Sequence, residues 1–284
     1  SMIHPKLKGL PRIYYINLDQ CVDRRNWMEN QFKNFGIVNY NRVNASEFLV
    51  KDYDKWKDNT IHNADKFPRS RVRSIVVSIN FMRAIKEWFE TTNEEYMILV
   101  EDDTDFSLVD YWDFDWEYLM DNIPYDWDAI QLMCISGERV PCYLHPKDLD
   151  SFTEPMLINR NYAEKLLSLY FVDGKFNFIK KVNRMDVQLR KNLTIADTDD
   201  SFGFNGRVYQ LPLIAQHPFL DISPKWWHVS SILIHRLWWT KYRHKFTLDD
   251  FFTYGKSYDD EMTFSVSDYQ KLSEHHIAKR KKDK

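Results

Sequence analysis

A short apolar run that leads directly into acidic residues is the feature that most restricts the fold of this chain. Tyr96 to Val100 reads YMILV, and Glu101, Asp102 and Asp103 follow without a break. A continuous apolar run of this length is typical of a strand that is buried on both faces of a sheet. Open α/β sheets bind ligands at the carboxyl ends of their strands. The run therefore predicts a buried strand that delivers three carboxylates to such an edge.

Apolar runs and amphipathic segments alternate along most of the chain. This alternation predicts an α/β fold with a mostly parallel central sheet flanked by helices. Residues 46–70 are polar and irregular, and they predict a surface loop. Asp23 is expected to cap the first helix. The other predicted strands cover residues 12–18, 38–43, 127–133, 155–158 and 208–215, and the predicted helices cover residues 23–35, 74–90 and 161–170.

The acidic run, which Asp105 extends, is unfavourable without a counter-ion. Carboxylates a few ångströms apart repel one another and are driven to take up protons. Mn²⁺ or Mg²⁺ would relieve this repulsion, since both prefer oxygen ligands and often bind carboxylates together with substrate phosphates. Such an ion would also activate a nucleotide sugar, because it neutralises the charge that develops on the diphosphate leaving group. The alternative is an acidic loop turned towards solvent, which the preceding apolar strand disfavours.

If the chain transfers a sugar from a nucleotide and inverts the anomeric carbon, it also needs a general base. This base must lie close to the hydroxyl that accepts the sugar. Asp186 is the first candidate for this catalytic role, with Asp199 and Asp200 as rivals. Spacing alone does not separate these three residues from solvated carboxylates.

Several motifs occur in an order that resembles glycosyltransferase family 25. They are IYYINLD at 13–19 with DRR at 23–25, the helical segment 74–88, MILVEDD at 97–103, DWD at 126–128 with QL at 131–132, PMLINR at 155–160 with Ala163, Leu166 and Leu167, RMD at 184–186, and LIAQH at 213–217. The family contains lipopolysaccharide-biosynthesis enzymes and procollagen galactosyltransferases, and the resemblance covers about residues 12–222. Two departures are clear: the Cys and His of the family's CALSH helix are absent, although Ser78 is kept, and no Pro precedes Asp186.

The resemblance implies a GT-A type nucleotide-sugar-binding fold over residues 1–222. It also implies a nucleotide-sugar donor, usually UDP-linked, a divalent metal, and inverting transfer to a hydroxyl of a glycan or glycoconjugate. Arg24 and Arg25 would bind phosphate or instead fix a loop, and His217 would be a metal ligand or a structural residue. The site residues implied are Asp186 and Asp103 for catalysis, Asn17, Leu18, Arg24, Arg25 and Asp102 for nucleotide binding, and Glu101, Asp103 and His217 for the metal.

Composition weighs against other functional classes. The formal net charge of −3 argues against a generally basic nucleic-acid-binding protein. A nucleotidyltransferase or nucleotide-sugar hydrolase would normally carry a glycine-rich phosphate loop, and this chain has seven glycines and no such motif. A non-catalytic carbohydrate-binding protein on a transferase scaffold is the main alternative. The three cysteines lack metal-ligand spacing and are expected to be free thiols.

Residues 223–284 are predicted to form a helical extension rich in aromatic and basic residues, ending in a disordered lysine-rich tail. Within it, residues 225–246 would either lie in a membrane interface or pack their tryptophans on the catalytic domain. We expect a cytoplasmic protein, in a bacterial or virus-infected cell, because the chain has no signal-peptide pattern and no long apolar stretch. Peripheral membrane contact through 225–246 and a homodimer formed through exposed aromatic residues are compatible with this composition.

Overall fold

The computed structural model describes most of the residues that carry the predicted sheet. The described residues are 2–61, 72–134, 139–141, 144–146, 154–177, 208–217, 235–252 and 263–265. Six α-helices lie entirely within them: α1 (Val22–Phe35), α2 (Tyr53–Trp56), α3 (Val72–Thr91), α4 (Trp116–Asn122), α5 (Arg160–Tyr170) and α6 (Leu248–Phe252). The strands of the same residues are β1 (Arg12–Asn17), β2 (Tyr40–Asn44), β3 (Thr60–Ile61), β4 (Tyr96–Glu101), β5 (Thr104–Asp105), β6 (Ala129–Gln131), β7 (Arg139–Pro141), β8 (His145–Pro146), β9 (Met156–Asn159), β10 (Phe171–Val172), β11 (Lys175–Asn177), β12 (Val208–Gln210), β13 (Ala215–Gln216) and β14 (Thr263–Ser265).

A seven-stranded sheet with the order β2-β1-β4-β9-β6-β12-β8 forms the centre of the fold. Strands β2, β1, β4, β6 and β12 run in one direction. Strand β9 is antiparallel to its neighbours β4 and β6, and β8 is antiparallel to β12. The predicted α/β fold, with a mostly parallel sheet flanked by helices, is therefore confirmed.

Side chains of the central strands alternate between two hydrophobic clusters, one on each face of the sheet. Ile13 and Tyr15 of β1 pack in one cluster with residues of α1 and α4. Tyr14 and Ile16 pack in the other with residues of α3 and α5. This alternation follows from the two-residue side-chain period of a strand. Because both faces are covered, the edge formed by the strands' carboxyl ends is left as the place for polar function.

The ends of α1 differ in part from the prediction. Cys21, and not Asp23, occupies the N-cap position, and its side chain makes no capping hydrogen bond. Asp23 lies instead in the first turn, where its negative charge favours the positive end of the helix dipole. The helix ends at Gly36, which adopts a left-handed conformation with φ of 67°.

Two other predicted segments are corrected. The described part of the predicted loop 46–70 contains α2, β3 and three single turns of 3₁₀ helix, and it buries Trp56, whose indole nitrogen donates to the Leu49 carbonyl oxygen at 2.7 Å. The predicted strand 208–215 is two strands, β12 and β13, which belong to different sheets. Pro212 lies between them and has no N–H to donate to a ladder.

The described part of the C-terminal segment packs against the main sheet's own core. A π-helical turn, Trp238–Tyr242, leads through Arg243–Lys245 to α6. Trp238 and Trp239 are each 1% exposed and belong to the same cluster as Ile13. These tryptophans therefore lie in the protein core and do not face a membrane. Residues 225–234 and the tail 279–284 lie outside the described residues, among which no helix has the length and hydropathy to cross a bilayer.

Candidate metal centre

The acidic run lies where the chain changes direction across the sheet. From β1 the chain passes through α1 to β2 on one side, and it returns through α3 to β4 on the other side of β1. Such a switch point opens a crevice at the carboxyl ends of the two central strands, which is where open α/β sheets bind ligands. Ile16 pairs with Glu101 in the parallel register, so the polar residues that end β1 and β4 are neighbours.

Three carboxylates converge at this edge. Glu101, Asp103 and Glu154 each offer a carboxylate oxygen, and these oxygens all lie within 4.8 Å of one another. Glu154 is 3% exposed. Asp103 retains some exposed surface, but its Oδ1 atom is buried and accepts no hydrogen bond. A buried acceptor without a partner is costly, so this atom would be stabilised by a bound cation or by a proton.

The pKa of Asp103 reports the same electrostatic situation. Burial raises its pKa, the neighbouring Glu154 and Asp102 carboxylates raise it further, and the opposing effect of Arg24 leaves it at about 7. Near neutral pH Asp103 is therefore only partly ionised, and a cation could replace its proton. The predicted repulsion within the acidic run is present, but one of its main sources is Glu154.

Sequence analysis did not predict Glu154. In the antiparallel register Met156 pairs with Leu99, so Glu154, two residues before Met156, precedes β9 at the end of the sheet where β4 ends with Glu101. An antiparallel strand begins at the edge where parallel strands end, and this brings the carboxylate to the site. Gln216 on β13 donates from Nε2 to Glu154 Oε1 at 3.3 Å and helps to orient it. The only sequence signal was the position of Glu154 immediately before a predicted strand.

Asp102 has different surroundings from its two neighbours. It is 8% exposed, and both of its oxygens accept hydrogen bonds. Asn17 Nδ2 donates to Oδ2 at 2.7 Å, and Arg24 Nη1 donates to Oδ1 at 3.1 Å. Burial alone would lower the pKa of Arg24, but the Asp102 carboxylate more than offsets this and raises it. Asn17 and Arg24 thus both bind Asp102, and the nucleotide-binding roles predicted for these three residues stay predictions.

Arg25 makes the loop-fixing contacts that were one of its two predicted roles. Its Nε atom donates to Asn17 Oδ1 at 3.0 Å. Its Nη2 atom donates to the Asp19 carbonyl oxygen at 2.7 Å and, more weakly, to that of Leu18 at 3.5 Å. The nucleotide-binding roles of Leu18 and Arg25 stay predictions.

His217 lies beside the acidic run but outside the set of three converging carboxylates. Its backbone N–H donates to the Asp103 carbonyl oxygen at 2.6 Å. Its ring packs against Trp27 of α1, with ring centroids 4.3 Å apart. The metal-ligand role of His217 stays a prediction. Asp186 and its rivals Asp199 and Asp200 lie outside the described residues.

Gln31 is a second residue that sequence analysis missed. It is buried in α1, and its Nε2 atom donates to the Thr104 carbonyl oxygen at 2.8 Å. Its Oε1 atom accepts from the Phe106 N–H at 2.9 Å. A helix that faces the sheet thus anchors the chain immediately after the acidic run.

Comparisons with known proteins give little further guidance. No protein-family profile and no curated protein matches this chain. The crystal structure of A197 from STIV aligns with 72% of this chain and 84% of its own, at 10% sequence identity and a TM-score of 0.32. A likeness at that level carries no argument about fold or function.

The donor set restricts the kind of ion that the site can hold. Glu101, Asp103 and Glu154 supply oxygen ligands only, which suit Mg²⁺ and Mn²⁺ better than softer metals. The buried and unbonded Oδ1 atom of Asp103 fits such an ion, because a cation would supply the interaction that the protein does not. The three oxygens are close enough together to coordinate one divalent cation.

Proposed function

We propose that this chain is a metal-dependent glycosyltransferase with a GT-A type fold. It transfers a sugar from a nucleotide donor, a UDP-sugar, to a hydroxyl of a glycan or glycoconjugate. The observation that carries the proposal is the convergence of the Glu101, Asp103 and Glu154 carboxylates within 4.8 Å at the switch point of an α/β sheet. The motif order that resembles glycosyltransferase family 25 supplies the donor class and the inverting outcome.

In this proposal the three carboxylates hold Mn²⁺ or Mg²⁺. When bound, the ion provides a Lewis acid that stabilises the negative charge of the departing diphosphate. Burial of Glu154 and of the Asp103 Oδ1 atom keeps water from competing for these ligands. Asp186 is the proposed general base that would take the proton of the acceptor hydroxyl.

A thermal-shift screen of nucleoside diphosphates with and without Mn²⁺ tests the donor class. A ligand that binds only the folded protein stabilises it by about 2.7 kcal/mol at 100 times its Kd. For a chain of 284 residues we expect this to raise the Tm by roughly 4–5 °C. UDP should give this shift only when Mn²⁺ is present. If no nucleoside diphosphate stabilises the protein under either condition, the carbohydrate-binding alternative is favoured.

Turnover of UDP-sugars tests the chemistry. Asp103→Ala should abolish UDP release while leaving a folded protein, because it removes a proposed metal ligand whose buried Oδ1 atom accepts no hydrogen bond within the protein. Turnover of this variant at a near wild-type rate would show that the metal site is wrongly assigned. UDP release that stays the same when glycan acceptors are added would indicate a nucleotide-sugar hydrolase instead.

A further inference from the structure

Asn17 lies at the end of β1 and bonds directly to the acidic run. We propose that Asn17 is a positioning residue, which fixes the Glu101–Asp103 turn for metal binding through its hydrogen bond to Asp102. This inference rests on the proposed function, since it concerns the same metal site. It concerns the Asn17 side chain, and the nucleotide-binding role predicted for the backbone groups of Asn17 stays a prediction.

The hydrogen-bonding capacity of the Asn17 amide is fully used within the protein. Its Nδ2 atom donates to Asp102 Oδ2 at 2.7 Å and to the Cys21 carbonyl oxygen at 3.1 Å. Its Oδ1 atom accepts from Arg25 Nε at 3.0 Å and from Arg42 Nε at 2.9 Å. An amide has two N–H donors and two acceptor lone pairs, so all four are satisfied. At 1% exposure the side chain offers nothing to a nucleotide.

These four contacts also fix which way the amide faces. Reversing it would turn the NH₂ group towards the guanidinium groups of Arg25 and Arg42 and the oxygen towards the Asp102 carboxylate. Both changes would replace attraction with repulsion. The two guanidinium donors also polarise the amide, which strengthens the hydrogen bond on its other side. Asn17 therefore links Asp102 by hydrogen bonds to β1, α1 and β2, and this restricts the movement of the Asp102 side chain.

Restricting Asp102 also restricts the proposed metal ligands on either side of it. It lies between Glu101 and Asp103 in the chain, and it is held on one side by Asn17 and on the other by Arg24. Movement of Asp102 would displace the backbone that carries both neighbouring carboxylates. Removing a group that bonds directly to a metal ligand typically costs about 10- to 100-fold in metal affinity, and for Asn17, which acts through Asp102, we expect the lower end of this range.

A double-mutant cycle on Mn²⁺ binding tests this role without requiring turnover. Isothermal titration calorimetry with MnCl₂ would compare the wild type, Asn17→Ala, Asp102→Ala and the double variant. Asn17→Ala keeps the net charge, so its effect cannot come from a change in the number of charged groups. We expect it to weaken Mn²⁺ binding by at least tenfold in the wild-type background and by less than twofold in the Asp102→Ala background. Arg42→Gln, which removes one donor on the other side of the amide, should weaken binding by less than Asn17→Ala does.

The outcomes separate this inference from the proposed function. An equal loss of affinity in both backgrounds, or no loss in either, would overturn the role of Asn17 while the metal site stands. A wild-type protein that binds no Mn²⁺ would overturn the metal site itself, and the inference with it. If Asn17→Ala does not fold, Asn17→Ser is used, because its smaller cavity and its hydroxyl are less disruptive, and the same pattern is expected.

Discussion

Glu101, the last residue of β4, and Glu154, two residues before the antiparallel strand β9, bring carboxylate oxygens within 4.8 Å of each other and of one from Asp103. Glu101 ends the parallel strand β4, and Glu154 precedes the antiparallel strand β9. Two segments more than fifty residues apart therefore supply one candidate metal site.

Glu154→Gln should weaken Mn²⁺ binding by at least about tenfold, because it removes a charged ligand from the set. The Gln side chain keeps an oxygen that can accept from Gln216, so the fold should be little affected. Calorimetric titration with MnCl₂ measures the effect. The matched control is Asp105→Asn, which changes a nearby buried carboxylate outside the set and keeps an oxygen for the Ser107 N–H. Equal affinities for Glu154→Gln and wild type would remove Glu154 from the site.

The acidic run was predictable from sequence, and Glu154 was not, for a physical reason. Tyr96 to Val100 is apolar at every position, which indicates a strand that is buried on both faces of the sheet. The carboxyl end of such a strand lies at the edge where α/β sheets bind ligands. The sequence does not show the direction of β9, because parallel and antiparallel strands that are buried have the same apolar pattern. Glu154 therefore became a site residue only when the pairing of β9 with β4 was known.

The C-terminal segment illustrates a second limit of sequence. Mixed tryptophan, aliphatic and cationic residues suit a membrane interface and a packed helix equally well. Arg243 is only 2% exposed, yet it is satisfied by Asp113, with its Nη2 atom 2.8 Å from Asp113 Oδ2. A contact across 130 residues has no local signature, so the burial of this arginine could not be predicted.

Trp239→Ala should destabilise the whole protein by about 3–5 kcal/mol, as expected for loss of a large core side chain. Trp239 shares a hydrophobic cluster with the central strands, and its indole N–H donates to the Pro212 carbonyl oxygen at 2.9 Å. Trp239→Phe should cost less, because it keeps most of the packing. Urea unfolding followed by circular dichroism measures both. Tyr125→Ala is the control, since Tyr125 is 98% exposed and its loss should change stability by less than about 0.5 kcal/mol. Unchanged stability in Trp239→Ala would mean that the segment is an independent extension.

Gly36→Ala should destabilise the protein by about 2 kcal/mol or more. Gly36 ends α1 at φ of 67°, a conformation that costs an L-residue about 1–2 kcal/mol. An added Cβ would also overlap the backbone of Met2 and Ile3. Gly174→Ala is a useful comparison, because Gly174 has a similar φ of 74° but has no atom within 4 Å of an added Cβ. Equal losses in the two variants, measured by urea unfolding, would show that the contact with Met2 contributes nothing.

The stability of the metal-free protein should depend on pH through Asp103. Its pKa is raised from 3.8 in the unfolded chain to about 7 in the folded protein, so between these values the folded state holds a proton that the unfolded state has lost. Raising the pH removes that proton, and the stability falls as pH rises from about 4 to about 7. One pKa unit corresponds to about 1.4 kcal/mol, so the loss from this group is at most roughly 4 kcal/mol.

Asp103→Asn isolates this contribution, because Asn does not titrate. The free energy of unfolding of the variant minus that of the wild type should grow as pH rises from 4 to 7 and then level off, when measured in EDTA. With saturating MnCl₂ the wild type should instead gain stability over the same range, because the ion competes with the proton for the carboxylate. The variant should show little of this gain. If the free energies of unfolding of the two proteins in EDTA changed equally with pH, Asp103 would not be the group that takes up a proton on folding.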